Sequence, residues 1–168
     1  PEMKSTGEVM GISKDFGLSF AKSQFASKNI IPLEGNVFIS LTESDKKFAK
    51  EIGSLYTELG FTIVATKGTH LALEEAGIES THVLKLSEGR PNIDDMIRNN
   101  EIAIAINTSD NNASKSDAKK IRQSVLSNNV AYFTTLAAAK AAALAVKSLK
   151  QSSGTIEPNA LQDYLVDA

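Results

Sequence analysis

The sequence contains no cysteine, which excludes disulfides, thiolate zinc sites and cysteine nucleophiles and suits a reducing cytoplasm. Its only histidines are His70 and His82, which argues against a histidine-based metal site. No apolar run approaches the roughly 20 residues that a membrane-spanning helix needs. The formal net charge is −2, with no clustered basic face, so there is no electrostatic footprint for nucleic acid. The amino-terminal segment PEMKSTGEVMG lacks the apolar core of a signal peptide, and the expected location is the cytoplasm. The chain begins with Pro1 rather than Met and is expected to be a piece of something longer. There is no internal repeat. What remains is a 168-residue chain, 42% apolar and 23% charged, with the size and composition of one soluble globular domain plus some extra at its ends.

From residue 36 onward, short runs of strand formers alternate with helical patterns. Val37 to Leu41 is the first apolar run. Ser44 then offers an N-cap for a helix reaching Leu59, with Phe48, Ile52, Leu55 and Leu59 on one stripe and Gly60 closing it. Phe61 to Ala65 reads as a second strand. Thr69 can cap a short helix from Leu71 to Ala76, ended by Gly77, and Thr81 to Leu86 reads as a third strand. A helix over Asn92 to Asn99 precedes the all-apolar strand Ile102 to Ile106. Asp117 to Asn128 is an amphipathic helix, Val130 to Phe133 a fifth strand, and Thr135 opens an alanine-rich helix over Leu136 to Leu149. Strand–helix alternation of this kind predicts an α/β domain, a Rossmann-like parallel sheet with helices on both faces. Before it, Phe16 to Ser27 has helical spacing, with Phe16, Phe20 and Gln24 on one side and Ala21 and Phe25 beside it, and Asn29 to Gly35 reads as a linker. After it, Gln151 to Gly154 reads as a flexible break and Leu161 to Val166 as a terminal helical turn.

In an open parallel sheet, ligands bind outside the carboxyl ends of the strands where the strand order reverses. That rule selects Ser40 after the first strand, with Lys46 beyond it; Thr66, Lys67, Gly68 and Thr69 after the second; Lys85 after the third; and Asn107, Thr108 and Ser109 after the fourth. Hydroxyls, an amide, a glycine and ammonium groups at one edge suit a phosphate, because glycine permits close backbone approach and helix-start N–H groups attract anions. Thr66-Lys67-Gly68-Thr69 reads equally well as a turn with a helix cap, and Lys46 taken singly as a solvated helix residue. Asp45, Asp110 and the pair Asp94 and Asp95 are candidate acids or bases, the last pair reading better as a solvated first helical turn. His70 follows Thr69 and could approach the pocket, whereas His82 is expected to face the other way. No nucleophile–base pair is evident, so a binding module fits better than an enzyme.

These residues also carry a resemblance. Ser5 to Gly11 (STGEVMG) resembles the closing motif of an ATP-grasp domain in carbamoyl-phosphate synthetase large subunits. The stretch after it resembles their carboxyl-terminal methylglyoxal-synthase-like domain. The matches are the Ser40 strand end, Asp45-Lys46, Thr66-x-Gly68-Thr69, Glu75 to Ile78, Glu88-Gly89-Arg90-Pro91 and Asn107-Thr108. The resemblance implies a five-stranded parallel sheet in the order 3-2-1-4-5. It divides the chain into the end of the ATP-grasp domain and a linker (1–35), the allosteric domain (36–150) and a tail (151–168).

The same resemblance implies a regulatory role within a glutamine-hydrolysing ligase of arginine and pyrimidine biosynthesis. In such relatives the domain binds a nucleotide monophosphate, UMP or IMP, and ornithine binds near its boundary with the synthetase domain. Phosphate positions carry over to Ser40, Lys46, Thr66, Thr69 and Lys85, with Lys67, Gly68 and Thr108 alongside; Asn107 and Ser109 fall near the base or ribose. Asp110-Asn111-Asn112 stands where UMP-responsive relatives tend to carry arginines. A second effector region falls on Phe133 and Thr134, Phe133 standing where ornithine-responsive relatives have an aspartate. The implied partners are the rest of the large subunit, the glutaminase small subunit and a further copy of the chain, with no nucleic acid or membrane. ATP and Mg belong to the parent enzyme, no cofactor belongs to this stretch, and the stretch itself is expected to be non-catalytic. The alternative reading is a free-standing methylglyoxal synthase, or a related phosphate-ligand enzyme such as the IMP cyclohydrolase relative of the fold.

Overall fold

The structure, a computed structural model, describes residues 9–108, 115–152 and 154–164. Five strands form its centre: β1 (Asn36–Ser40), β2 (Thr62–Thr66), β3 (Thr81–Val83), β4 (Ile102–Asn107) and β5 (Ala131–Phe133). All pairings are parallel and the order is β3-β2-β1-β4-β5, as the resemblance implied. The chain therefore builds outward from β1 to β3, then returns to place β4 on the other side of β1. That reversal puts the ends of β1 and β4 side by side, with Ser40 level with Asn107.

Side chains alternate across each strand, and the alternation feeds two cores. Val37 and Ile39 of β1, Ile63 and Ala65 of β2, and Ile104 and Ile106 of β4 face one side. There they meet α2 (Ala49–Glu58), α3 (Lys67–Glu75), and α6 (Leu136–Gln151) through Ile52, Tyr56, Leu73, Ala142 and Val146. Phe38, Val64 and Ala105 face the other side, against α4 (Ile93–Arg98) and α5 (Lys115–Ser127) through Ile93, Ile97, Ile121 and Val125. A register shift where Asn36 pairs with Ile102 and Val37 with Ile104 allows Ile102 to join the second core.

Helix starts depart from the sequence expectations. Ser44 does not cap α2: its hydroxyl pairs with that of Thr42 at 3.0 Å, and the chain passes through a 3-10 turn, Lys46–Phe48, before α2 begins. Thr69 does not cap α3 either; the cap position is Thr66, and Thr69 lies inside the helix with its hydroxyl committed to the β1–α2 loop. β3 stops at Val83 rather than Leu86, because Leu84 bridges to Asn92 and a second 3-10 turn, Leu86–Glu88, follows. β2 sits one residue later than expected, and α6 continues to Gln151, with the Gly154 N–H bonded to the Leu149 carbonyl at 2.7 Å. Gly60 and Gly77 do end α2 and α3, at φ of +85° and +75°. Thr135 caps α6 by accepting from the Ala138 N–H.

The amino-terminal helix α1 (Phe16–Ala26) packs on α6 and buries its smallest residues most completely. Gly17 and Ala21 are its buried residues, and Phe16 is 61% exposed. A Cβ at Gly17 would lie 2.5 Å from the Leu144 carbonyl oxygen, so the two helices approach nearly backbone to backbone. Asp15 caps α1; a hydrogen bond from Ser148, and a second from the Leu18 N–H at 2.8 Å, hold its carboxyl below the usual carboxylate range. Of the STGEVMG motif only Val9, Met10 and Gly11 fall within the described residues, and Val166 also lies outside them. No described helix is long and apolar enough to cross a membrane.

Candidate functional site

The carboxyl ends of β1, β2 and β4 carry a set of hydroxyls that the parallel register brings together. Ser40 ends β1 and Thr66 ends β2, and the Thr66 hydroxyl lies 3.3 Å from that of Ser40. Thr69, three residues on, places its own hydroxyl 3.5 Å from Thr66. Thr66 and Thr69 are buried, at 4% and 1% exposure, so their hydroxyls are held in place rather than solvated. At β4, Thr108 follows Asn107, and both are buried.

The loop joining β1 to α2 is tied from both sides. The Leu41 N–H donates to the Thr69 hydroxyl at 2.9 Å, and the Thr42 N–H donates to the Thr108 hydroxyl at 3.1 Å. The Thr108 N–H in turn donates to the Ser40 carbonyl. Thr69 is therefore a structural acceptor. Thr69→Val keeps the shape of the side chain but leaves a buried N–H unpaired. Urea unfolding is expected to show a loss of about 1–2 kcal/mol. A variant as stable as the parent chain would mean that this contact anchors nothing.

At the end of β2, α3 begins directly, and its first-turn N–H groups have no carbonyl within the helix to bond. Gly68 lies in that turn. A Cβ there would stand 2.9 Å from Lys46 Nζ, so glycine leaves the space that the ammonium group occupies. Lys46 Nζ also pairs with the Glu43 carboxylate. Lys67 is exposed beside it. Anion-attracting helix-start dipoles, three hydroxyls and an ammonium group thus meet at one edge of the sheet.

Other expected site residues stand further out. Lys85 is exposed at the start of the second 3-10 turn, with its backbone N–H bonded to Glu88. Among the described residues no hydrogen bond or ion pair joins it to Lys46 or the threonines. Ser109 and the loop Asp110-Asn111-Asn112 lie outside the described residues. The Asn107 side chain bonds the Tyr132 hydroxyl; burial pushes that hydroxyl's pKa up, and the bond to Asn107 and the charge of Arg122 pull it back. Phe133 points to the opposite face, 4% exposed, its ring centroid 6.3 Å from that of Phe20 in α1. Thr134 is exposed.

Of the titratable candidates, Asp94, Asp95 and His70 have structural employment. Asp95 accepts from the Asn92 N–H in a capping box and pairs with Arg90, and Asp94 pairs with Arg98 at 2.8 Å. His82 does not face away from His70: their rings stack at 5.9 Å, and His70 Nδ1 meets the Ser80 hydroxyl at 2.8 Å. Glu43 and Tyr132 are neighbours of this edge that sequence reading missed. Only Glu43 carried a signal, its spacing of three residues from Lys46. Among the described residues no group of three or more acidic or histidine side chains could hold a metal ion.

Comparison with known proteins agrees with this architecture. The model of the MGS-like domain matches residues 49–134. The carbamoyl phosphate synthase large chain of Campylobacter jejuni is 50% identical over 165 residues, covering 98% of this chain and 15% of that protein. The corresponding large chain of Helicobacter pylori is 54% identical over the same length, again covering 98% of this chain and 15% of the relative. A protein of Aquifex aeolicus described as the C-terminal section of the large chain is 48% identical over 151 residues, covering 90% of this chain and 28% of its own length. The chain thus spans only a small part of the relatives it matches. A match to half of the chain, on the fold that the sheet order gives, means that the chain belongs to the MGS-like domain family.

Proposed function

We propose that this chain is the effector-binding module at the carboxyl end of a glutamine-dependent carbamoyl phosphate synthase, and that it takes a nucleotide monophosphate of the UMP or IMP type. The observation that carries the reading is the meeting of the Ser40, Thr66 and Thr69 hydroxyls with the start of α3 beneath Lys46. A phosphate monoester presents three acceptor oxygens and close to two negative charges near neutral pH. Hydroxyl donors, helix-start N–H groups and an ammonium group answer both features. In this reading Lys67 and Lys85 extend the positive rim, and Asn107 is assigned to the ribose and base.

In this reading the module is non-catalytic and acts on a ligase to which the remainder of the large chain and a glutaminase subunit belong, in the cytoplasm. ATP and Mg serve that ligase elsewhere in its length. The strongest support for the assignment to this enzyme is similarity over nearly the whole chain to large chains of three bacteria. Phe133 gives an ornithine ammonium no carboxylate at its position; it is buried against Phe20, where an unpaired cation would be strongly disfavoured.

Calorimetric titration with UMP, IMP, uridine and inosine tests the proposal. At least one monophosphate is expected to bind markedly more tightly than its nucleoside, because the phosphate contributes the main contacts. Equal affinity for nucleotide and nucleoside would contradict a phosphate site at this edge.

A further inference from the structure

Lys46 is not solitary at the sheet edge. The β1–α2 loop turns tightly, with the Asp45 and Lys46 N–H groups both donating to the Thr42 carbonyl at 3.1 Å. The turn brings Glu43 round so that its carboxylate pairs with Lys46 Nζ. The two partners differ in setting: the Lys46 side chain is 27% exposed and that of Glu43 is 88% exposed. The ammonium lies over Gly68 against the start of α3, while the carboxylate reaches it from the solvent side. The loop's position is fixed by Thr69 and Thr108, so both groups are presented to the same place.

We propose that Glu43 is a built-in competitor for the ammonium group that an anionic ligand needs. In the ligand-free chain its carboxylate neutralises Lys46, and a phosphate monoester binds by displacing it. This rests on the reading of the sheet edge as a phosphate site and adds what limits its affinity. A dianion offers Lys46 more charge and more acceptor oxygens than one carboxylate does, so it wins the exchange. A ligand with a single negative charge replaces like with like and gains little. The displaced carboxylate loses little either, because it is almost fully hydrated where it stands. Glu43 therefore lowers affinity for every ligand that must displace it, while the preference for a dianion comes from Lys46 itself.

Calorimetric titration of the 168-residue chain with UMP and with inorganic phosphate tests this in four forms: the parent sequence, Glu43→Gln, Lys46→Ala and the double variant. Removing the charge of an exposed ion pair shifts an equilibrium about two- to fivefold, so Glu43→Gln is expected to bind that much more tightly. The gain should shrink as salt is raised, because the pair is screened. It should vanish in the Lys46→Ala background, where there is no ammonium to hold. Unchanged or weaker binding by Glu43→Gln, with Lys46→Ala still impaired, overturns the competitor role and leaves the phosphate site standing. A gain that persists in full without Lys46 means direct repulsion of the ligand by Glu43, which also overturns it. If neither the parent nor Glu43→Gln binds either probe, the phosphate reading fails and this proposal fails with it.

Discussion

Gly17→Ala is expected to destabilise the chain by about 2–3 kcal/mol, although alanine is the better helix former by nearly 1 kcal/mol. The reason lies in the approach of α1 to α6. A Cβ at Gly17 meets Ser148 Oγ at 2.3 Å and the Leu144 carbonyl oxygen at 2.5 Å. The hydroxyl can rotate away, but the carbonyl belongs to the α6 backbone and can yield only if one helix moves. Moving α1 outward strips cover from Ala21 and separates Phe20 from Phe133. It also weakens the bond between Asp15 and Ser148 that supports the α1 cap. α1 lies against α6 and only the margin of the sheet core, so the damage should be greatest in α1 itself. Hydrogen exchange is expected to show lost protection across Phe16–Ala26 with β1 and β4 unaffected, alongside a lower thermal midpoint. An alanine variant that melts like the parent chain, with α1 still protected, would show that the helices are not so closely docked.

That helix also shows where sequence reading stops. A 3.6-residue period places Phe16, Phe20 and Gln24 on one side with Ala21 and Phe25 beside it, but does not say which of them the helix buries. Close helix packing selects the smallest residues instead, and Gly17 and Ala21 are what α1 buries. The apolar runs behind β1 and β4 were legible because buried parallel strands need side chains that suit both faces. The glycines at 60 and 77 were legible because each closes a helix at positive φ. Thr66, Thr69 and Ser40 were legible as neighbours at one sheet edge, because the rule that ligands sit at strand ends directs attention there. What Thr69 does there was not. Its hydroxyl accepts from Leu41, 28 residues away, and no local pattern marks a bond across that distance. Ser44 misled for a related reason, since a hydroxyl before a helical stripe can as easily bond a neighbour such as Thr42. Glu43 was passed over because an exposed glutamate in a loop looks like any solvated charge, and its spacing of three residues from Lys46 is only a weak mark against that background. The stacking of His70 on His82 depends on β2 and β3 pairing, which brings α3 over the start of β3.

A ligand phosphate at the start of α3, under Lys46, is the assignment on which the proposed function stands, and Lys46→Ala bears on it without intermediate steps. The substitution removes the ammonium over Gly68 while leaving Ser40, Thr66 and Thr69 in place. Lys46 is partly exposed and takes no part in either hydrophobic core, so the fold should survive the change. A charge-assisted contact to phosphate contributes about 1–3 kcal/mol, and the exposure of Lys46 together with its standing pair to Glu43 favours the lower half of that range. The measurement is a calorimetric titration of UMP into the parent chain and into Lys46→Ala, with thermal melts confirming that both are folded. The parent is expected to bind UMP, and the variant to bind it several-fold more weakly or beyond detection. Equal affinity in the two folded proteins, or no binding by the parent, would contradict a phosphate site under Lys46.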